Sequence, residues 1–309
     1  HMVMNDTLAR PGGDAAVVRI HGTEKALAIT TDCTPRYVQA DPEEGGKQAV
    51  VESYRNLSAV GATPLAITDC LNFGNPQKPE VMGQIVGAIQ GMAEACRVLG
   101  YPVVSGNVSL YNDTNGESVQ PTPAVGGVGL LKDGTQRVGS AFTNVGDAIL
   151  LIGETKGHLG SSLYLRELLG NEEGAPPPVD LVTERKHAEM VRALIARGLI
   201  NACHDLADGG LLVALAEMCF GRGLGAQVTF SSPLPLHAYA FGEDQARYLI
   251  SVPPAKKDMV MVGLNQANIP FDDLGTVIPD LLIVEDKMRV PVAHLRALNE
   301  EWLPNYMAA

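Results

Sequence analysis

Two segments of this sequence combine acids, amides, hydroxyls and glycine in a way that suits a phosphate site. The first is Asp69-Cys70-Leu71-Asn72-Phe73-Gly74-Asn75-Pro76, between a strand-like run and a long helical one. Loops that leave a strand and lead into a helix N-terminus are where α/β proteins hold ligands. The second is Ser105-Gly106-Asn107-Val108-Ser109-Leu110-Tyr111-Asn112, again after a strand-like run. Gly106 lets a ligand approach the backbone. Asn107 offers a carbonyl oxygen, the hard ligand type that magnesium accepts alongside phosphate oxygens and water. Ser109 offers a hydroxyl that can donate to a phosphate or an amide. The same residue types also build ordinary capped turns, and spacing alone does not separate the two readings.

A third segment, His204-Asp205-Leu206-Ala207-Asp208-Gly209-Gly210, closes a strand and opens a helix. Two acids and two glycines there suit a metal-bound nucleotide, and equally an N-cap paired with the helix dipole. His204, beside an apolar strand, reads first as a satisfied structural histidine. Gly126-Gly127-Val128-Gly129 fits no P-loop, because the Gly-Lys-Ser/Thr tripeptide is absent. These glycines read as close strand packing or a β-bulge.

The elements that must position these groups follow from periodicity. Residues 15–20 and 26–31 are β-prone runs around the polar turn His21-Gly22-Thr23-Glu24, which predicts a hairpin. Val50, Tyr54 and Leu57 recur at helical spacing over residues 47–60, and residues 64–70 read as a strand. Val81, Ile85, Ala88, Met92, Ala95 and Leu99 place one apolar stripe on a helix over about 80–99, stopped by Gly100. Residues 101–105 and 124–131 are further strands. A boundary is expected within the polar segment 132–144, after which a second set begins. That set has strands over 147–152, 247–252 and 276–284 and helices over 181–196 and 209–220. Pro176-Pro177-Pro178 reads as an exposed loop.

The chain has 309 residues, enough for two cores, and a net charge of −12. That acidity argues against general nucleic-acid binding, which needs a basic surface, but leaves room for a small phosphorylated ligand held by local donors. Five cysteines without a C-x-x-C pair read as reduced thiols of a cytoplasmic protein. No apolar run approaches the length of a membrane span, and no signal peptide is evident. The opening His1-Met2 looks like an expression scar, which suggests a natural chain beginning further upstream.

Taken in order, Pro11-Gly12-Gly13-Asp14-Ala15-Ala16, Thr31-Asp32-Cys33, Asp41-Pro42 to Gly45-Gly46, the Asp69 and Ser105 motifs, the His204 motif and Phe241-Gly242-Glu243-Asp244-Gln245 resemble one family across nearly the whole chain. It is the phosphoribosylformylglycinamidine synthase family, in the C-terminal half of its synthetase subunit. The Asp69 and Ser105 motifs are specific to that enzyme within its superfamily. The His204 motif is broader, shared with aminoimidazole ribonucleotide synthetase and its relatives. The resemblance implies an α+β, aminoimidazole ribonucleotide synthetase-like protomer: an N-terminal sheet domain that builds a shared barrel, then a C-terminal α+β domain. The expected division is a tag scar and arm over 1–11, an ATP-binding domain over 12–138 and a second domain over 139–309.

The resemblance also implies a reaction, in which ATP and glutamine-derived ammonia convert formylglycinamide ribonucleotide to formylglycinamidine ribonucleotide in purine biosynthesis. ATP and Mg2+ are the expected cofactors. Carried over by motif, Asp69 and Gly106 match ATP contacts, Asn107 a magnesium ligand and Ser109 a substrate contact, with Gly106 37 positions after Asp69 as in the family. Asp32, Asp205 and Asp208 match a symmetry-related second nucleotide and metal site. The family's catalytic histidine and further magnesium acids belong to the first half, and this chain has no counterpart of that segment. It is therefore expected to be inactive alone and to need that first half, a glutaminase subunit and a small bridging subunit as partners. Two other readings stay open: a free-standing kinase or ligase of the superfamily, and a non-catalytic nucleotide-binding homodimer.

Overall fold

The computed structural model describes residues 6–9 and 12–308. His1, Met2 and Pro11, named above, lie outside the described residues. The first sheet is built from β1 (Thr7–Ala9), β2 (Ala16–Arg19), β3 (Ala26–Asp32), β4 (Thr63–Asn72), β5 (Val103–Ser109) and β8 (Thr122–Leu131), with a small hairpin of β6 (Asp113–Thr114) and β7 (Glu117–Ser118) beside it. Its strand order is β1-β2-β3-β8-β4-β5. The β2–β3 pair is the predicted hairpin. β4 and β5 are the parallel pair, joined by a helical crossover, as parallel neighbours require.

One face of this sheet is covered by α1 (Pro35–Ala40), α2 (Pro42–Ala59) and α3 (Pro79–Leu99). α2 starts where the Asp41 side chain accepts from the Glu43 and Glu44 N–H groups and Pro42 takes the first turn. α3 ends at Gly100, whose φ of 63° supplies the left-handed cap. The two helices cross in close contact because Gly46 and Gly91 carry no side chain. A Cβ at Gly46 would collide with the Ala88 carbonyl, and one at Gly91 with the Glu43 carbonyl. Gly127 of β8 likewise leaves room for the Ser53 and Tyr101 hydroxyls, the close packing expected of that strand. The opposite face of the sheet is open: Ile29, Leu65 and Val104 are exposed there, Val104 to 72%.

The second unit has β9 (Ala148–Ile152), β10 (Ala202–Asp205), β11 (Leu224–Val228), β12 (Tyr248–Val252), β13 (Phe271–Pro279), β14 (Leu281–Val284) and β15 (Met288–Pro291). They form one sheet in the order β10-β12-β9-β13-β11-β14-β15. Its helices are α4 (Leu181–Ala196), α5 (Gly210–Phe220), α6 (Leu236–Phe241), α7 (Lys257–Gln266) and α8 (Val292–Ala308). β9 is buried on both faces and so reads as an unbroken apolar run. Its Leu150 and Ile152 join a core shared with α4, α7 and α2 of the first unit, while Ile149 and Leu151 join a second core under α5. The first core therefore crosses the boundary and fixes the two units against each other.

Three expectations are corrected. The Asp69 and Ser105 motifs are not loops after strands: the parallel ladder between β4 and β5 continues through Asn72 and Ser109, so their first residues are strand residues. The single strand expected over 276–284 is two, β13 and β14, because Asp280 takes φ 40° and breaks the run. Pro176 and Pro177 are buried in their loop rather than exposed.

Candidate functional sites

The predicted residues fall into two places. Asp69, Gly106, Asn107 and Ser109 meet at the carboxyl ends of β4 and β5, on the open edge of the first sheet. The register pairs Asp69 with Gly106, Cys70 with Asn107 and Asn72 with Ser109. The 37-residue interval is thus the register of a parallel pair. Strand alternation puts Asp69 and Gly106 on the helix-covered side, and Cys70, Asn72, Asn107 and Ser109 on the open side. A Cβ at Gly106 would strike the Asp69 carboxylate, so the missing side chain is what lets that carboxylate lie across the neighbouring strand. The Asn107 backbone N–H donates to Asp69, yet burial outweighs this and holds the Asp69 carboxyl above its ordinary value.

Ser109 is oriented by Asn112. The Asn112 amide donates to the Phe73 carbonyl at 3.0 Å and the Ser109 carbonyl at 2.9 Å, tying the two motifs together. Lys78 then fastens the β6–β7 hairpin beneath them through Asp113 at 3.0 Å and the Gly116 carbonyl at 3.1 Å. β5 is an edge strand with exposed Val103 and Val108. Asn107 and Ser109 are consequently presented on an open surface at the sheet edge rather than in a pocket, with Asp69 and Gly106 on the other side of the same two strands.

Asp32 and Asp205 lie elsewhere, in a cleft of about 880 Å³ between the β2–β3 hairpin, the end of β10, α5 and α8. Asp14 and Glu52 line it with them. Asp32 accepts from the Thr30 hydroxyl and the Asn56 amide, each at 2.7 Å. Asp205 accepts from Arg55 Nε at 3.2 Å. Arg55 is wholly buried and also donates to Glu184 at 2.8 Å and Gln245 at 2.9 Å. His204 Nδ1 meets Asp14 Oδ1 at 2.5 Å, and its Nε2 meets Glu217 at 3.0 Å. Burial opposes the imidazolium, but Asp14 and Glu217 overcome it and hold His204 charged well above its ordinary range. With both nitrogens engaged, His204 is a structural histidine, as read from the sequence.

The remaining acids repel one another. Burial, reinforced by Asp14, pushes Asp32 up to about 6 against the help of Thr30, Asn56 and Arg55. Burial and Asp32 push Glu52 up to about 8. Burial pushes Asp205 up to about 7, with Arg55 opposing. The second oxygen of Asp14 is buried with no hydrogen-bond partner. Such a set of hard, crowded, partly unsatisfied carboxylate oxygens fits a divalent cation such as magnesium. Asp14, His204 and Asp205 offer ligand atoms within 4.8 Å of one another, but only the two carboxylates are free to ligate.

Asp208 does not line this cleft. It is taken by Arg36, whose two terminal nitrogens hold its carboxylate at 2.5 and 3.1 Å. Arg36 also reaches the fully buried Glu243 at 2.8 Å, and Tyr37 donates to the same carboxylate. This network clamps α1 to the loop before α5. Sequence reasoning missed Glu52, Arg55 and Arg36 altogether. Their available signal was a charge on the buried side of a helix: Glu52 and Arg55 fall among Val51, Tyr54 and Leu57 on α2.

Comparison with known proteins matches residues 12–131 to the N-terminal domain, and residues 144–286 to the C-terminal domain, of AIR synthase related proteins. Phosphoribosylformylglycinamidine synthase subunit PurL of Bradyrhizobium sp. is 56% identical over 309 residues, covering 99% of this chain and 42% of its own length. The PurL subunit of Caulobacter vibrioides is 56% identical with the same coverage. The chain therefore spans about two fifths of the length of the curated relatives it matches. Among solved structures, T. maritima PurL complexed with FGAR aligns with a TM-score of 0.77 at 22% identity, over 94% of this chain and 49% of that one. The tt0281 protein of Thermus thermophilus aligns at 0.68 and 20%, over 93% and 94%. These likenesses establish the mixed α+β fold with two sheet domains. No helix among the described residues is long and apolar enough to cross a membrane.

Proposed function

The chain belongs to the AIR synthase related proteins and is a PurL homologue, and from that premise we propose that it is one part of an ATP-dependent, amidine-forming ligase of purine biosynthesis. The division at 138/139 is adopted for its two domains, in keeping with the break between Leu131 and Ala148. The reaction proposed is that of phosphoribosylformylglycinamidine synthase: formylglycinamide ribonucleotide, ATP and glutamine-derived ammonia give formylglycinamidine ribonucleotide. One observation carries this reading. The register of β4 and β5 sets an acid against a bare glycine backbone on one face, and an amide and a hydroxyl on the other, within a few residues of the carboxyl ends of two parallel strands, where α/β sheets bind ligands.

Asp69 and the backbone at Gly106 are assigned to ATP, the Asn107 carbonyl oxygen to magnesium and the Ser109 hydroxyl to the ribonucleotide substrate. Magnesium, when bound, would neutralise phosphate charge. The protein's share is to hold the reactants in place, and neither motif supplies a covalent nucleophile. The exposed edge supports a further point: the β4–β5 edge forms one wall, and the rest of a PurL-type chain, with its catalytic histidine, forms the other. A glutaminase subunit and a small bridging subunit are the proposed partners for ammonia supply. Asp32 and Asp205, joined by Asp14 and Glu52, are assigned to a second, cation-dependent nucleotide site, from which Asp208, held by Arg36, is left out.

The test is complementation. The chain is mixed with the remaining portion of a PurL subunit, ATP, Mg2+, ammonium and formylglycinamide ribonucleotide, and phosphate release is followed. Release from the mixture alone, lost in Asn107→Ala, is the expected result. Release from this chain by itself makes it a free-standing enzyme. No release from a folded, associated mixture favours a binding module.

A further inference from the structure

The acidic cleft has one wall that the family domains do not provide. α8 lies beyond the matched residues, which end at 286, yet its Arg296, Asn299 and Glu300 line the cleft. The floor and rim otherwise carry Asp14, Asp32, Glu52, Asp205 and Glu217. A bare anion would be repelled by that floor, and a bare cation would need nothing from α8. Among the described lining residues only His204 and Arg296 are cationic, and both nitrogens of His204 are engaged. Arg296 uses Nε alone, on Glu300 at 2.8 Å in an i,i+4 pair with both side chains about half exposed. Exposed pairs of this kind are weak, and four guanidinium N–H donors remain for a ligand.

We propose that Arg296 is the anion-recognising residue of this cleft, exchanging Glu300 for the phosphates of a metal-complexed nucleoside polyphosphate, with Asn299 one helical turn along. The proposal rests on the second-site reading above and extends it to the helix that closes the cleft. The independent mark of a ligand is the buried, unpartnered Asp14 oxygen, whose side chain has no exposed surface. A volume of about 880 Å³ lies within the range of nucleotide-sized sites. Opposed walls of carboxylate and guanidinium suit a ligand carrying both a cation and phosphates.

α8 contains its own reporter. Trp302 is the only tryptophan in the chain, about 9 Å along the helix axis from Arg296, and it stacks on Tyr306. Titration calorimetry of the intact chain with ADP in excess Mg2+ is expected to show binding accompanied by a change in Trp302 emission. Arg296→Ala is expected to weaken Mg-ADP at least tenfold, while the Mg2+-induced rise in melting temperature without nucleotide is unchanged. Glu300→Gln is expected to tighten Mg-ADP, and adenosine with Mg2+ to bind parent and Arg296→Ala alike. Parent-like Mg-ADP affinity in both variants overturns the role of Arg296 while leaving the second site standing. Absence of Mg-ADP binding by the parent chain overturns the second site and this proposal together.

Discussion

Replacing Glu52 by Gln should stabilise the metal-free protein, against the usual effect of altering a buried site. Glu52 ionises near 8 in the folded chain against 4.5 unfolded, because burial and the nearby Asp32 disfavour its charge. A carboxyl raised on folding contributes no penalty below its unfolded value. The penalty then grows as pH rises and is complete above the folded value. At about 1.4 kcal/mol per pH unit, the charge costs at most about 4 kcal/mol at pH 8, and shared protonation with Asp32 and Asp205 lowers this. Urea unfolding in a chelating buffer at pH 8 should therefore find Glu52→Gln more stable than the parent. The gap should all but close by pH 4, where the parent side chain is mostly neutral in both states. Millimolar Mg2+ at pH 8 should narrow it by stabilising the parent. A variant that is no more stable at pH 8, or a gap that does not depend on pH, would refute the picture of mutually repelling acids.

Arg55→Met should cost about 3–5 kcal/mol in chemical denaturation, because it strands the buried Glu184 and Asp205 carboxylates. Gly91→Ala should also destabilise, since the added methyl meets the backbone of α2 rather than a flexible side chain; a thermal melt that does not move would contradict the close helix crossing. Gly106→Ala should leave the melt nearly unchanged while lowering complemented phosphate release by about tenfold or more, as the methyl displaces the Asp69 carboxylate. Asn112→Ala should raise the KM for the ribonucleotide more than it lowers kcat, because Asn112 holds the loop that presents Ser109; a pure kcat loss would place Asn112 in the chemistry instead.

Much of the scaffold was legible because it depends on local rules. The apolar stripe of α3, its Gly100 stop and the β2–β3 hairpin follow from spacing and turn chemistry, and the structure has them at nearly the expected bounds. The motif residues Asp69, Gly106, Asn107 and Ser109 were chosen from residue types and resemblance. Sequence order alone could not show that Asp69 and Gly106 are register partners, or that alternation turns Asn107 to the opposite face, since register is settled by pairing between distant strands. Nor could it find the cleft's electrostatics. Glu52 and Arg55 sit on one helix, Asp205 and Glu184 come from the second unit, and Arg296 comes from the last helix. Asp32 and Asp208 looked equivalent in the sequence, but folding delivers Arg36 to one and leaves the other among acids. What the sequence determined by itself is the set of elements and the groups able to bind. Which charges are paired and which are left crowded was decided only by the tertiary structure, because Coulomb and burial energies depend on distances between groups that the chain order does not fix.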